Sequence, residues 1–230
     1  MTYEFIPAKL LKQQFRVTGH FYNVVVYGQC LPCRSSLEIV REAAFAHPSE
    51  SDPDAIVVMM NPGSSQPLDQ LPEEVRHGQF PLGRKRLVPT KPDTTQYQIM
   101  RLMHYCAWDY VRVLNLSDLR DASSASFLTK YHALEKEHAY SKHSIFCPSR
   151  EAELAEALRR LPEAPVISAW GTSAQLDLLI RRCTDAIKEH CAFVGLKHAE
   201  GSDRYLHPLP RKQDAKRAWV DSMVGLVRAL

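Results

Sequence analysis

No run of apolar residues in this sequence approaches the roughly 18–20 needed to cross a bilayer. The N-terminal stretch MTYEFIPAKLLKQQ has neither the apolar core nor the small-residue cleavage site of a secretory signal. The expectation is a cytoplasmic chain with no membrane partner. Charge of one sign is also lacking. Lys and Arg number 29 against 26 Asp and Glu, a formal net charge of +3. Bulk attraction to nucleic acid therefore does not follow, and any such argument rests on where the charges lie. The six cysteines (Cys30, Cys33, Cys106, Cys147, Cys183, Cys191) follow no regular spacing. That argues against a disulfide framework and leaves them as mostly buried thiols. There is no internal repeat and no convincing linker, so the 230 residues read as one domain, 1–230. A hydrophobic fraction of 45% with 24% charged residues excludes a disordered or collagen-like chain.

What is present alternates between two periods. HFYNVVVYGQ reads as a strand over about 21–27, and the segment carrying Leu37, Val40 and Ala44 as a helix after it. AIVVMM (55–60) is a continuous apolar run suited to a strand buried on both faces, and Pro62 and Gly63 stop it. Residues 64–93 read as a long interrupted loop containing GRKR, of the kind that is usually functional. Asp93 or Thr94 caps a helix carrying Ile99, Leu102, Met103 and Cys106. YVRVLN, ending at Asn115, is the next strand, followed by a polar, His-rich stretch and a helix in EAELAEALRRL. APVISAW is a third buried strand, leading through Gly171 to a capping-box pattern, Thr172-x-x-Gln175, and a helix to about His190. A last strand near 203–206 ends at His207-Pro208-Leu209-Pro210, and a terminal helix begins around Asp214.

Strands alternating with helices predict an α/β protein, a three-layer sandwich with a mainly parallel central sheet. Ligands of such sheets bind outside the carboxyl ends of the strands. Four unusual segments fall at predicted strand ends: NPGSS after Met60, Asn115, Trp170 with Gly171, and HPLPRK after Leu206. If the strands are right, all four meet at one rim.

These segments resemble the motifs of the uracil-DNA glycosylase superfamily. VVMMNPGSS resembles its first motif, in the version with Asn before the proline. HPLPRKQDAKRAW resembles its second and is closest to single-strand-selective monofunctional enzymes. VRVLNL resembles the strand whose terminal Asn reads the flipped base, and AWGTSAQ its Trp-Gly-x-x-Ala-Gln segment. The resemblance spans about residues 55–220. It implies a monofunctional DNA glycosylase that hydrolyses an N-glycosidic bond and leaves an abasic site, acting as a monomer on DNA without a cofactor or metal. It assigns water placement to Asn61 and leaving-group stabilisation to His207. Asn115 would read the base, with Phe80 or Leu82 stacking on it and Met60, Pro62 and Gly63 shaping the pocket. Ser64, Pro208, Leu209, Pro210, Arg211, Lys212, Arg84 and Arg86 would face DNA. A base must leave the stack to reach such a pocket, and the vacated space is filled by a wedge. The segment after NPG is longer and more basic here, which points to a bulky 5-substituted pyrimidine, such as glucosylated hydroxymethylcytosine of phage DNA, and a role in antiviral defence.

Other readings fit parts of the chain. One is uracil excision in base-excision repair; another is a catalytically silent DNA- or nucleotide-binding module. Cys30-Leu31-Pro32-Cys33, placed between an expected strand and helix, fits a thiol oxidoreductase. The C-terminal cations Arg204, Arg211, Lys212, Lys216 and Arg217 would make DNA binding salt-dependent, although Asp203 and Asp214 dilute them.

Overall fold

The computed structural model describes residues 3–44, 51–68, 72–76, 86–188 and 190–230. A short helix, α1 (Ala8–Gln14), runs into β1 (Phe15–Val26), which turns back into β2 (Gln29–Arg41). Strand β3 (Ala55–Met59) is followed by three short strands, β4 (Gln66–Pro67), β5 (Glu73–Arg76) and β6 (Val88–Lys91). Helix α2 (Thr94–Cys106), strand β7 (Tyr110–Asn115), helix α3 (Ser124–His138) and helix α4 (Glu151–Ala157) come next. Strand β8 (Val166–Ser168), helix α5 (Asp177–Ile187), strand β9 (Phe193–Val194) and helix α6 (Gln213–Val227) complete the order.

The sheet runs β4-β6-β1-β2-β7-β3-β8-β9, with β5 beside β1. The α/β class is as expected, but the sheet is mixed rather than mainly parallel. β7, β3, β8 and β9 are parallel neighbours, whereas β1 is antiparallel to β2 and β6, β2 to β7, and β4 to β6.

The difference originates in residues 29–41, where the expected helix is a strand. Tyr27 (φ 48°) and Gly28 (φ 76°) both take left-handed backbone, and Val26 pairs with Gln29 across them. That is the two-residue turn a tight hairpin requires. A chain reversed in two residues must run alongside β1. Residues 33–40 of β2 are all buried, so no polar alternation betrays the strand in the sequence.

Other departures are smaller. The His-rich stretch contains α3, capped by Ser123, whose side chain accepts from the Ser126 amide. Only Phe127, Tyr131 and Leu134 of α3 are buried, a stripe too thin to stand out. The expected strand near 203–206 is reduced to bridges from Tyr205 to Gly171 and Lys197. Part of the expected long loop is β4, β5 and β6.

Successive residues of β3 feed two cores, because side chains alternate across a strand. Ile56 and Val58 pack with residues of α3, α4 and α5, while Ala55, Val57 and Met59 pack with residues of α1, α2 and α6. β7, β3 and β8 bring their carboxyl ends side by side, Met59 opposite Asn115 and Val58 opposite Ser168.

Glu135 ties α3 to α5. It accepts two hydrogen bonds from Arg182 (2.7 and 3.0 Å) and one from His143 Nε2 (3.0 Å). Burial alone would raise its carboxyl, but these donors outweigh burial and hold it down at about 2. A carboxylate depressed in the folded state stabilises above its ordinary value of 4.5 and loses that contribution as pH falls toward 2. Urea unfolding across this range is expected to show a loss on the order of 2 kcal/mol from this group. Glu135→Gln should flatten that acid limb; a limb unchanged in the variant would assign it to other carboxylates.

Candidate active site

At the carboxyl end of β3 the chain leaves the sheet at Met60. Pro62 has no N–H to continue a ladder, and Gly63 takes left-handed backbone (φ 62°). A Cβ at Gly63 would lie 3.4 Å from Asp93 Oδ2, so the bend presses this loop against the start of α2. Two hydrogen bonds from the chain after β7 extend the pairing, Leu116 N–H to Met59 O and Ser117 N–H to Met60 O. Arg120 Nε donates to Ser65 O at 2.6 Å and fixes the loop from its far side.

A cavity of about 440 Å³ opens here. Met60, Asn61, Pro62 and Gly63 line it from the loop after β3, and Trp170 and Gly171 from the segment after β8. His207 and Leu209 come from the proline-rich loop, Asp93 and Gln96 from the start of α2, and Asp121 from the segment before α3. Three of the four expected strand-end segments thus contribute directly to one cavity.

Asn61 has a fixed orientation. Its Nδ2 donates to Asp121 O at 2.8 Å and to Leu119 O at 3.4 Å. The amide nitrogen is therefore spent on backbone, and among the described residues no donor reaches Oδ1. An acceptor is left available on the cavity wall.

His207 is also fixed. The Leu209 N–H donates to its Nδ1 at 3.1 Å, which makes Nδ1 an acceptor and leaves the ring proton on Nε2. Burial lowers its pKa to about 4, so the imidazole is neutral at physiological pH. Its loop is anchored by Gln98 Nε2 donating to Pro208 O (2.9 Å) and Trp219 Nε1 donating to Leu206 O (3.1 Å).

Asn115 does not line the cavity. It is fully buried, and in the amide orientation that satisfies its neighbours it donates to Asn61 O at 3.1 Å and accepts from Arg34 Nη2 at 3.2 Å. Its two functional ends hold other site residues. Arg34, from β2, is the residue that reaches the cavity instead. Sequence reasoning missed it because β2 was read as a helix.

Asp93 is another lining residue to which the sequence assigned no site role. Its Oδ1 accepts from the Gln96 amide at 2.9 Å and the Gln96 side chain accepts from the Asp93 amide at 3.3 Å, a complete capping box. The pattern was legible as a cap, and nothing in it announced a wall of the cavity. Asp121, the other lining carboxylate, is engaged by Lys130, Ser126 and the Ser123 amide, which together hold its pKa down against a desolvation that would raise it.

Of the expected DNA-facing residues, Ser64, Arg86, Arg211 and Lys212 are exposed, Pro210 is half-buried and Pro208 is buried. Phe80, Leu82 and Arg84 lie outside the described residues. Arg204 is paired with Asp177 through two hydrogen bonds (3.1 and 2.7 Å), which takes it out of a free basic rim. Cys30 and Cys33 both sit on β2, not before a helix, and burial pushes the Cys33 thiol up. That is opposite to the activation a redox cysteine needs. Among the described residues, no three His, Cys, Asp or Glu side chains gather as a metal-holding group. No described helix is long and apolar enough to cross a membrane.

No protein-family model matches this chain, and no curated protein matches it. Among solved structures, it is similar to a feruloyl esterase module from Clostridium thermocellum, a serine-to-alanine mutant complexed with sinapinate. The identity is 12% and the TM-score 0.34, over 98% of this chain and 69% of the other. A likeness this slight carries no argument about fold or activity.

Proposed function

We propose that the protein is a monofunctional DNA glycosylase of the uracil-DNA glycosylase type, with the corresponding three-layer arrangement, acting on a modified or damaged pyrimidine. A bulky 5-substituted cytosine of phage DNA is the favoured substrate, and uracil the alternative. The observation that carries this reading is the pairing, on one cavity wall, of an unengaged acceptor at Asn61 Oδ1 with a neutral histidine protonated on Nε2.

Glycosidic hydrolysis needs those two groups. Water adds its oxygen to C1′ of the sugar as the bond to the base nitrogen breaks, and the electron pair leaves with the base. Asn61 Oδ1 accepts from the attacking water and aims it. His207 Nε2–H donates toward the oxygen on which the leaving base gathers charge. The water's surplus proton passes to solvent and the base takes one up. A neutral donor suits this step because it is already in place and needs no reorganisation.

The test is excision from oligonucleotides carrying uracil and from phage DNA carrying hydroxymethylated or glucosylated cytosine, read by alkaline cleavage at abasic sites. Product from one substrate, lost in His207→Ala, supports the reading. No product from any of them overturns it.

The acid limb of that activity carries a second expectation. Protonating Nδ1 of His207 would set N–H against the Leu209 N–H and break the loop's internal bond. Because the folded pKa is about 4, below the ordinary 6.5, activity should hold as pH falls through 6.5 and decline only toward 4. Over the same window stability should fall, since the unfolded chain takes up a proton that the folded one refuses. An acid limb centred at 6.5 would mean that the imidazole is solvated during turnover.

A further inference from the structure

Behind Asn61, the cavity holds buried donors that nothing in the mechanism above uses. Arg34 is 1% exposed, and of its guanidinium nitrogens only Nη2 has a partner, the Asn115 oxygen at 3.2 Å. Its Nε and Nη1 have none. Gln96, also 1% exposed, spends its Oε1 on the Asp93 amide, and its Nε2 is unpartnered. Both residues line the cavity with Asn61 and His207.

Buried donors are seldom left unmade, and a buried cation less often still. Asp93 and Asp118 lie near enough to favour the Arg34 charge, Arg120 opposes it, and neither carboxylate forms a hydrogen bond with it. Burial nevertheless lowers the guanidinium to about 10, so it stays charged at neutral pH. The cluster is made of donors only. A ligand group that satisfies it must offer acceptors, and a negative charge satisfies it best.

Taking the glycosylase reading as its basis, we propose that Arg34 and Gln96 form an anion subsite that holds the oxygen-bearing edge of the departing pyrimidine anion. The electron pair of the broken bond leaves with the base and spreads onto its carbonyl oxygens, O2 in a cytosine and O2 and O4 in uracil. Arg34 and Gln96 meet those oxygens with donors already in place. They act together with His207, which is neutral and supplies a hydrogen bond without a charge.

The experiment is calorimetric titration of the full chain with 5-fluorouracil and with uracil. At mildly alkaline pH the first is largely ionised and the second largely neutral, at nearly the same shape. Wild type should then bind 5-fluorouracil roughly tenfold more tightly, as expected for a charge-assisted contact. The two affinities should converge at mildly acidic pH, where both ligands are neutral. Arg34→Met should abolish the preference and Gln96→Leu should reduce it. Equal affinities in wild type at alkaline pH would overturn the proposal, whatever the variants' folding. So would a preference that survives Arg34→Met. The two readings fail separately. Anion preference without excision of any DNA substrate would leave the subsite and remove the glycosylase. Excision without anion preference would leave the glycosylase and remove the subsite.

Discussion

Asn61→Ala is expected to lower single-turnover excision by about 10²–10³-fold, the scale of losing one precisely placed group at a reacting centre. The more informative variant is Asn61→Asp. In the wild-type site Nδ2 donates to Asp121 O and Leu119 O, and only Oδ1 is available to a water. An aspartate puts a second acceptor where that nitrogen sits. A carboxylate oxygen then faces two carbonyl oxygens, and the cost of the unmade bonds is about 1–3 kcal/mol. Asn61→Asp should therefore be less stable than wild type and no faster, even though a carboxylate is the stronger base. Single-turnover rates and urea midpoints measured on the three proteins decide it. A faster Asn61→Asp would show that the donors from Asn61 to the backbone do not govern the water.

The largest loss of stability is expected away from the cavity, at Arg150. Its side chain is fully buried among Asp118, Glu153 and the Lys142 carbonyl. Nη1 donates to Asp118 Oδ2 at 2.7 Å, and Nε and Nη2 donate to the two Glu153 oxygens at 2.9 and 2.7 Å. Tyr22 donates its hydroxyl to the same Asp118 oxygen at 2.7 Å. The cluster joins β1 to the chain beyond β7 and to the start of α4. Arg150→Met keeps most of the volume but leaves two buried carboxylates without their cation, for which the expected cost is about 3–5 kcal/mol in urea unfolding. Burial already pushes the Asp118 carboxyl up, and Arg150 opposes that. The variant should thus regain part of its stability as pH falls and Asp118 takes a proton. Asp118→Asn in the Arg150→Met background should recover part of the loss at neutral pH. A double variant no better than the single one would mean that packing, not uncompensated charge, sets the cost.

Asn61 lines the cavity, so truncating it to Ala should cost more rate than stability. Arg150 belongs to a cluster that does not line the cavity, so altering it should cost more stability than rate. Loss of excision in Arg150→Met at a temperature where the variant remains folded would join the cluster to the site.

Much of the arrangement was determined by the sequence alone. The run before Asn61-Pro62-Gly63 was legible because a strand buried on both faces is apolar throughout, and the strand ending at Asn115 because Arg112 alone interrupts its apolar residues. Asp93 was legible, beside Thr94, as a candidate cap because capping is a local contact within one turn, and the structure chooses Asp93 and adds Gln96 as its partner. The meeting at one rim was conditional on the expected strands, and three of the four segments reach the cavity while Asn115 lies behind its wall. Only the tertiary structure decided the rest. Residues 33–40 are buried on both sides, and their polar members, Arg34, Ser35, Ser36 and Glu38, interrupt any apolar run, so neither period is visible. Their strand is imposed by the hairpin at Tyr27 and Gly28 and by pairing with β7. That pairing places Arg34 beside Asn115 and turns an expected reader of the base into a support for Asn61 and Arg34. Sequence periodicity reports which face of a segment is buried. It does not report which distant side chain lies against that face, and in this cavity that neighbour sets what each polar group has left to offer a ligand.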